Sequence, residues 1–217
     1  MTRVIRGIGW TLIMFGATIL LYLVYLLFFT NLRTDKAQEA LLTDWDLQFQ
    51  PVEEATPATE PVDEEVVDVE PGDAYAAIWF TRPDGERIVH GDPLYVVEGT
   101  TLEHLKDGPG HYTETAPPGH EGNFAISGHR TTYGAPFYHL DDLAPGDEVH
   151  VVDRESRHWV YVVRETAIVQ PNDVWVIGED PLDTGEPTMT LTTCHPRFSA
   201  AQRYIVFAEL SGSAAAA

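Results

Sequence analysis

The chain has 217 residues and carries 34 Asp and Glu against 13 Lys and Arg, a formal net charge of −21. That length suits one folded domain with appendages. The acidic balance excludes nucleic acid as the main partner, because phosphate binding needs a basic surface. One cysteine excludes an intrachain disulfide and a structural zinc site built on several thiolates.

Gly7 to Phe29 is a run of 23 residues without an Asp, Glu, Lys, Arg or His side chain. Roughly 20 residues at about 1.5 Å each cross the hydrocarbon core of a bilayer, so the run predicts one transmembrane helix over residues 7–29. Arg3 and Arg6 precede it and Arg33 and Lys36 follow, a weak vote for a cytoplasmic N-terminus. Phe28-Phe29-Thr30-Asn31-Leu32 does not read as the small-residue cleavage site of a secretory signal. Residues 1–36 are therefore expected to be a cytoplasmic tip and membrane anchor, which makes this a single-pass protein of the cell membrane with the rest of the chain extracellular.

Ala37 to Phe49 can form a short helix. From Pro51 to Asp73 there are nine acidic residues, no basic ones and four prolines. Like charge, low hydrophobicity and proline disfavour a core, so residues 37–73 are expected to be an acidic disordered linker. An acidic tail that binds calcium or a basic partner is the alternative for that stretch.

Residues 74–210 read as an all-β domain with short helices, and they keep a net charge of about −12, from 21 acidic and 9 basic residues. Candidate strands are Ala74–Phe80, Leu94–Val97, Asn123–Gly128, Glu148–Val152, His158–Ile168, Thr188–Thr193 and Tyr204–Leu210. Val160, Val162 and Arg164 alternate with Tyr161, Val163 and Glu165, the period of a half-buried sheet. Breakers such as Pro83-Asp84-Gly85 and Pro145-Gly146-Asp147 separate the strands, and Thr101–Leu105 and Tyr138–Leu143 suit helical turns. Many short strands at this spacing indicate a closed barrel or a sandwich. Residues 211–217 are small and expected to form a flexible tail.

Cys194 ends an apolar and Thr-rich strand, and the following His195-Pro196 stops strand pairing. A residue at a strand end beside a loop is placed to reach substrate, and a thiol needs a basic or cationic neighbour to become a nucleophile. His90, His104, His120, His150 and His158 sit among polar or turn residues and are expected at the surface. His129 stands apart, between the apolar run ending in Gly128 and the segment Arg130-Thr131-Thr132-Tyr133-Gly134. A zinc site built on His129, His139 and a carboxylate is a rival use of it, though no close metal-binding spacing supports that.

Thr190-Leu191-Thr192-Thr193-Cys194 matches the TLxTC motif of sortases, and Phe124-Ala125-Ile126-Ser127-Gly128-His129-Arg130 resembles the segment that carries their catalytic histidine. Arg203 opens Tyr204-Ile205-Val206-Phe207 as the sortase arginine opens the last strand. Gly108-Pro109-Gly110-His111-Tyr112, Gly134-Ala135-Pro136-Phe137 and Cys194-His195-Pro196 are most similar to class E sortases of high-GC Gram-positive bacteria. The resemblance covers residues 74–210. It implies an eight-stranded sortase-type β-barrel behind an N-terminal membrane anchor, and no cofactor or metal.

It also implies a reaction. Cys194 attacks the threonine carbonyl of an LPxTG-like sorting signal, LAxTG by class association. His129 acts as general acid and base, and Arg203 stabilises the oxyanion or fixes the substrate backbone. Arg130 and Arg197 are rivals of Arg203. Thr193 and Tyr112 are expected at the substrate. The partners implied are surface proteins with a C-terminal sorting signal and a peptidoglycan precursor as amine acceptor. A pilin-polymerising sortase is the rival within the family, but Asp92-Pro93-Leu94 and Asp180-Pro181-Leu182 lack the lid aromatic. A catalytically silent binding module and an L,D-transpeptidase are the others; in the latter family glycine precedes the cysteine, where this chain has Thr193.

Overall fold

Alternation along the strands decides which side chains face inward, and in the computed structural model it closes eight strands into a ring. The structure describes residues 2–25, 30–58, 61–62 and 68–211. The helices are α1 (Thr2–Val24) and α2 (Thr30–Gln48). The strands are β1 (Thr56–Pro57), β2 (Ala74–Thr81), β3 (Arg87–Ile88), β4 (Leu94–Glu98), β5 (Gly110–His111), β6 (Asn123–Ser127), β7 (Glu148–Val152), β8 (Arg157–Val169), β9 (Thr188–His195) and β10 (Gln202–Leu210). Around the ring the order is β8-β10-β9-β6-β5-β4-β2-β7, and β7 returns to pair with β8. Two of these pairings are parallel, β4 with β5 and β6 with β9. The expected eight-stranded barrel is therefore present, with β1 and β3 added at its margins.

The barrel is filled by one face of each strand. Ile78, Phe80, Phe124, Ile126, Trp159, Tyr161, Met189 and Leu191 meet there, all essentially inaccessible. Each such side chain gains about 1.5–3 kcal/mol from burial. The Trp159 indole NH is satisfied by Asp153 at 2.8 Å and the Tyr161 hydroxyl accepts from the Gly119 amide at 2.7 Å, so the polar tips of these large rings cost nothing inside.

β5 is two residues long, too short to show a period, and sequence reasoning passed over it. It is held by side chains. His111 Nδ1 lies 2.8 Å from Glu98 Oε2 on β4, and its ring stacks on Tyr75 at 4.2 Å. Thr115 Oγ1 lies 3.1 Å from His111 Nε2 and donates to the Tyr112 carbonyl at 2.7 Å, which fixes the turn after β5.

α1 is exposed along its length, and Arg3–Val24 is long and apolar enough to cross a membrane. Thr11 and Thr18 donate their hydroxyls back to the carbonyls of Gly7 and Met14, at 3.0 and 2.9 Å, which satisfies the two groups within the helix. Residues 26–29 of the expected span lie outside the described residues, as do residues 212–217 of the expected tail.

The expected disordered linker over residues 37–73 is corrected in its described part. α2 runs on to Gln48, Val52–Glu54 form a 3-10 turn, and β1 pairs in parallel with Arg157 and His158 of β8. Trp45 is 0% exposed and forms a second core on the outside of the barrel with Val52, Ala74, Ala77, Tyr95 and Val152. A few apolar anchors spaced among many acids suffice to dock the segment; composition averaged over the stretch hides them. Residues 59–60 and 63–67 of the expected linker lie outside the described residues.

His150 and His158, expected at the surface, are half-buried instead. Both rings stack on Trp79 at 5.0 Å, and His150 Nδ1 lies 3.0 Å from His158 Nε2. Burial, then the neighbouring His158 and Arg87, lowers His150 from its ordinary 6.5 to about 4. Between those two values the unfolded chain binds a proton that the folded chain refuses. Stability from this site is therefore complete above pH 6.5 and is lost as the pH falls through about 4. We predict that the melting temperature of the wild type falls between pH 7 and 4, and that His150→Gln reduces this slope; an identical slope in the variant would refute the assignment.

Candidate active site

β9 lies between β6 and β10, and this arrangement brings the distant sequence motifs to one end of the barrel. In the antiparallel β9–β10 ladder Cys194 is directly opposite Arg203. In the parallel β6–β9 ladder Ser127 is opposite Thr192, and the Gly128 amide donates to the Thr192 carbonyl at 3.1 Å. Continued by two residues past the end of β6, that register would bring His129 level with Cys194 on the other flank. Alternation gives the three side chains a common face. Met189 and Leu191 of β9, Phe124 and Ile126 of β6 and Val206 and Ala208 of β10 fill the barrel. Cys194, His129 and Arg203 fall on the opposite phase, facing outward.

Outside the barrel at this point is a groove of about 170 Å³ lined by Tyr112, Thr192, Arg203, Ile205 and the segment around Val169–Ile177. Its outer wall is held by a small cluster in which Val176 packs against Ile205 and Phe207. Tyr112 reaches in from the turn after β5, with its hydroxyl 3.3 Å from Thr192 Oγ1. Thr193 is not at this groove. It is 2% exposed, and its hydroxyl donates to the Gly128 carbonyl at 2.7 Å. That bond ties β9 to the residue before His129, so the Thr193 side chain links the two strands. Thr192 is the groove residue of the pair, and alternation counted back from Cys194 is the signal that identifies it. Val174–Ile177 carried no motif and was missed.

His129 sits at the start of a loop closed by the Phe137 amide donating to the His129 carbonyl at 3.1 Å. Phe137 is fully buried and packs so closely on Gly128 that a Cβ there would lie 2.5 Å from its ring. The imidazole packs on Tyr133 with centroids 5.0 Å apart, and its buried Nε2 has no hydrogen-bond partner. Burial first, and the Lys106 ammonium second, hold His129 below its ordinary value. The ring is therefore neutral near pH 7, with a nitrogen free to take or give a proton.

The three arginines near Cys194 differ in their commitments. Arg130 is 2% exposed; Nη2 pairs with Asp141 at 2.6 Å, and Nη1 donates to the Cys194 carbonyl at 3.3 Å and to His195 Nδ1 at 3.0 Å. Arginine only donates, so His195 Nδ1 is the acceptor of that bond. Arg197 donates to the other oxygen of Asp141 at 2.7 Å and lies over Tyr138. Burial raises Asp141, but the hydrogen bonds from Arg130 and Arg197 outweigh it and keep the carboxyl ionised. Arg203 donates only to the carbonyls of Ala200 and Gln202, at 3.1 and 3.0 Å, and among the described residues it has no carboxylate partner. Its charge alone of the three is uncommitted. His139 pairs with Asp142 at 3.0 Å, and no group of three or more His, Cys, Asp or Glu that could hold a metal occurs among the described residues.

A family model described as Sortase domain matches residues 91–211. The chain is similar to Sortase SrtE1 of Streptomyces coelicolor, at 29% identity over 94% of this chain and 56% of that protein. It is also similar to Sortase SrtE2 of the same organism, at 32% identity over 96% of this chain and 82% of that protein. It thus spans little more than half of the first relative and most of the second. Among solved structures, sortase E from Streptomyces avermitilis matches with a TM-score of 0.56 at 35% identity, covering 66% of this chain and 91% of that one.

The division of labour among the arginines is open to measurement. Asp141→Asn leaves two guanidinium groups short of an ionic acceptor and is expected to cost about 2 kcal/mol in urea unfolding. Arg203→Gln touches no ion pair and is expected to stay within about 0.5 kcal/mol of wild type. Equal losses in the two variants would contradict the assignment.

Proposed function

Since the chain belongs to the sortase family, whose members are cysteine transpeptidases, we propose that it cleaves an LPxTG-like sorting signal, LAxTG by preference, between Thr and Gly. It then joins the fragment that ends in that threonine, through its carbonyl, to the amine of a cell-wall precursor. The observation that supports this reading is the register that puts Arg203 opposite Cys194 and that, extended two residues past Ser127, puts His129 on the other flank. The apolar α1 supports attachment through residues 7–29, with the barrel outside the cell.

The steps follow from the groups present. Neutral His129 takes the Sγ proton as the Cys194 sulfur adds to the threonine carbonyl. The new oxyanion develops beside Arg203, the one guanidinium with no anion of its own. The imidazolium gives its proton to the glycine nitrogen, the C–N bond breaks and a thioester remains. The acceptor amine adds to that thioester and loses a proton to His129. The C–S bond breaks and the thiol is re-formed. No carboxylate is needed, because burial and then the Lys106 ammonium keep the histidine neutral.

Preference for alanine over proline at the second position rests on Tyr112. Its ring narrows the groove and its hydroxyl, near Thr192, offers a hydrogen bond that the amide of a non-proline residue can use.

Mass spectrometry of the protein incubated with LAxTG and LPxTG peptides should detect a thioacyl adduct on Cys194 that Cys194→Ala cannot form. His129→Ala and Arg203→Ala should each lower turnover at least about 10²-fold. Tyr112→Phe should shrink the ratio of kcat/KM for the two peptides. Adduct formation by Cys194→Ala would end the transpeptidase reading, and equal use of both peptides by the wild type would end the specificity reading alone. A reporter active only outside the cytoplasm, fused after Ala217, should be active; an intact but silent fusion would reverse the orientation.

A further inference from the structure

α2 comes straight after the apolar run in sequence, and it contacts the two segments that surround His129. On one side, Thr34 Oγ1 donates to the Lys106 carbonyl at 2.7 Å, and Arg33 pairs with Asp107 at 3.3 Å. On the other, the Gly134 amide donates to Asn31 Oδ1 at 3.0 Å. Thr34 also packs against Gly134 so closely that a Cβ there would lie 2.9 Å from its methyl carbon. Gln38 fixes the helix to the barrel by accepting from the Tyr95 amide at 2.8 Å and donating to the carbonyls of Tyr95 and Asp107, at 2.8 and 3.0 Å.

The two segments meet at the catalytic ring. Lys106 Nζ lies 5.9 Å above the Tyr133 ring, which packs on His129. One turn of α2 therefore grips the backbone under Lys106 and the backbone beside Tyr133. We propose that Asn31 and Thr34 are positioning residues for the proposed reaction: they set the 129–137 loop and the Lys106 turn against each other, so that Tyr133 and Lys106 hold the His129 ring toward Cys194. The inference rests on the transpeptidase reading for its kinetic readout but not for its spectroscopic one.

The charged and titratable groups that bear on His129 are Lys106, from the turn after β4 and itself paired with Glu103, and Tyr133 from its own loop; Cys194 on β9 and Arg203 on β10 lie on the far side in the strand order. Only the first two are reached by α2. Releasing α2 should therefore change the histidine without changing the thiol.

The test uses the full chain in detergent micelles with isotope-labelled histidine. In Asn31→Ala and Thr34→Val the His129 titration is expected to move up toward its ordinary value, as Lys106 is no longer held near. The acylation kcat should fall about ten- to a hundredfold, with KM within about threefold of wild type. Thr34→Ser retains the hydroxyl and should behave as wild type. An unmoved His129 titration in both variants, with or without a lower melting temperature, would reduce α2 to a packing strap and overturn the proposal. If the wild type acylates no peptide, the transpeptidase reading fails while the titration still decides this one.

Discussion

β9 has neighbours of opposite sense, β6 parallel to it and β10 antiparallel, and the chemistry at the barrel end depends on that asymmetry. A parallel neighbour ends where β9 ends, so the loop leaving β6 emerges beside Cys194. An antiparallel neighbour begins where β9 ends, so the first residues of β10 do the same. A parallel pair needs a long crossover, and the chain from 128 to 187 supplies it, building β7, β8 and the groove wall on the way. The hairpin from β9 to β10 needs only a few residues. His129 is thus far from Cys194 in sequence and Arg203 is near, yet the strand order brings both to the same end of the barrel.

Electrostatics at this end is a matter of sorting. The domain is strongly acidic, so an uncommitted arginine would ordinarily be neutralised by a nearby carboxylate. Asp141 meets that tendency in a particular way. It takes up Arg130 and Arg197 together, one from the histidine loop and one from the turn after Cys194. The result is an ionic bridge between those two segments and a third guanidinium, Arg203, with no carboxylate partner among the described residues, as its proposed role at the oxyanion requires. Preorganised charge of this kind acts without reorganisation when the oxyanion forms.

Much of this was legible in the sequence and some was not, for reasons that can be named. Strands long enough to show two or more alternations, such as β8 and β9, announce themselves, and so do motifs with chemistry at fixed spacing, as around His129 and Cys194. β5 is too short for a period, although it completes the barrel. The burial of Thr193 and its bond to the Gly128 carbonyl were not legible in the motif, because strand neighbours point to opposite faces. α2 was half seen. Its helical stretch was visible from Ala37, but its docking depends on Trp45 and a few polar side chains that meet partners far away in the chain. The acids around them dominate the charge of the stretch, whereas the docking contacts come from Trp45, Thr34 and Gln38.

The outer core built on Trp45 has a consequence for any shortened form of the protein. The sortase match begins at residue 91 and the barrel at Ala74, so a chain beginning at Ala74 would look complete by family resemblance and by strand count. It would nevertheless leave the outward faces of Ala77, Tyr95 and Val152 without the indole that covers them. It would also uncover the backbone groups of β8 that β1 pairs with. An apolar patch beside an open strand edge is the usual template for self-association. Such a trimmed enzyme would be expected to dimerise or precipitate through a surface that the intact molecule keeps covered.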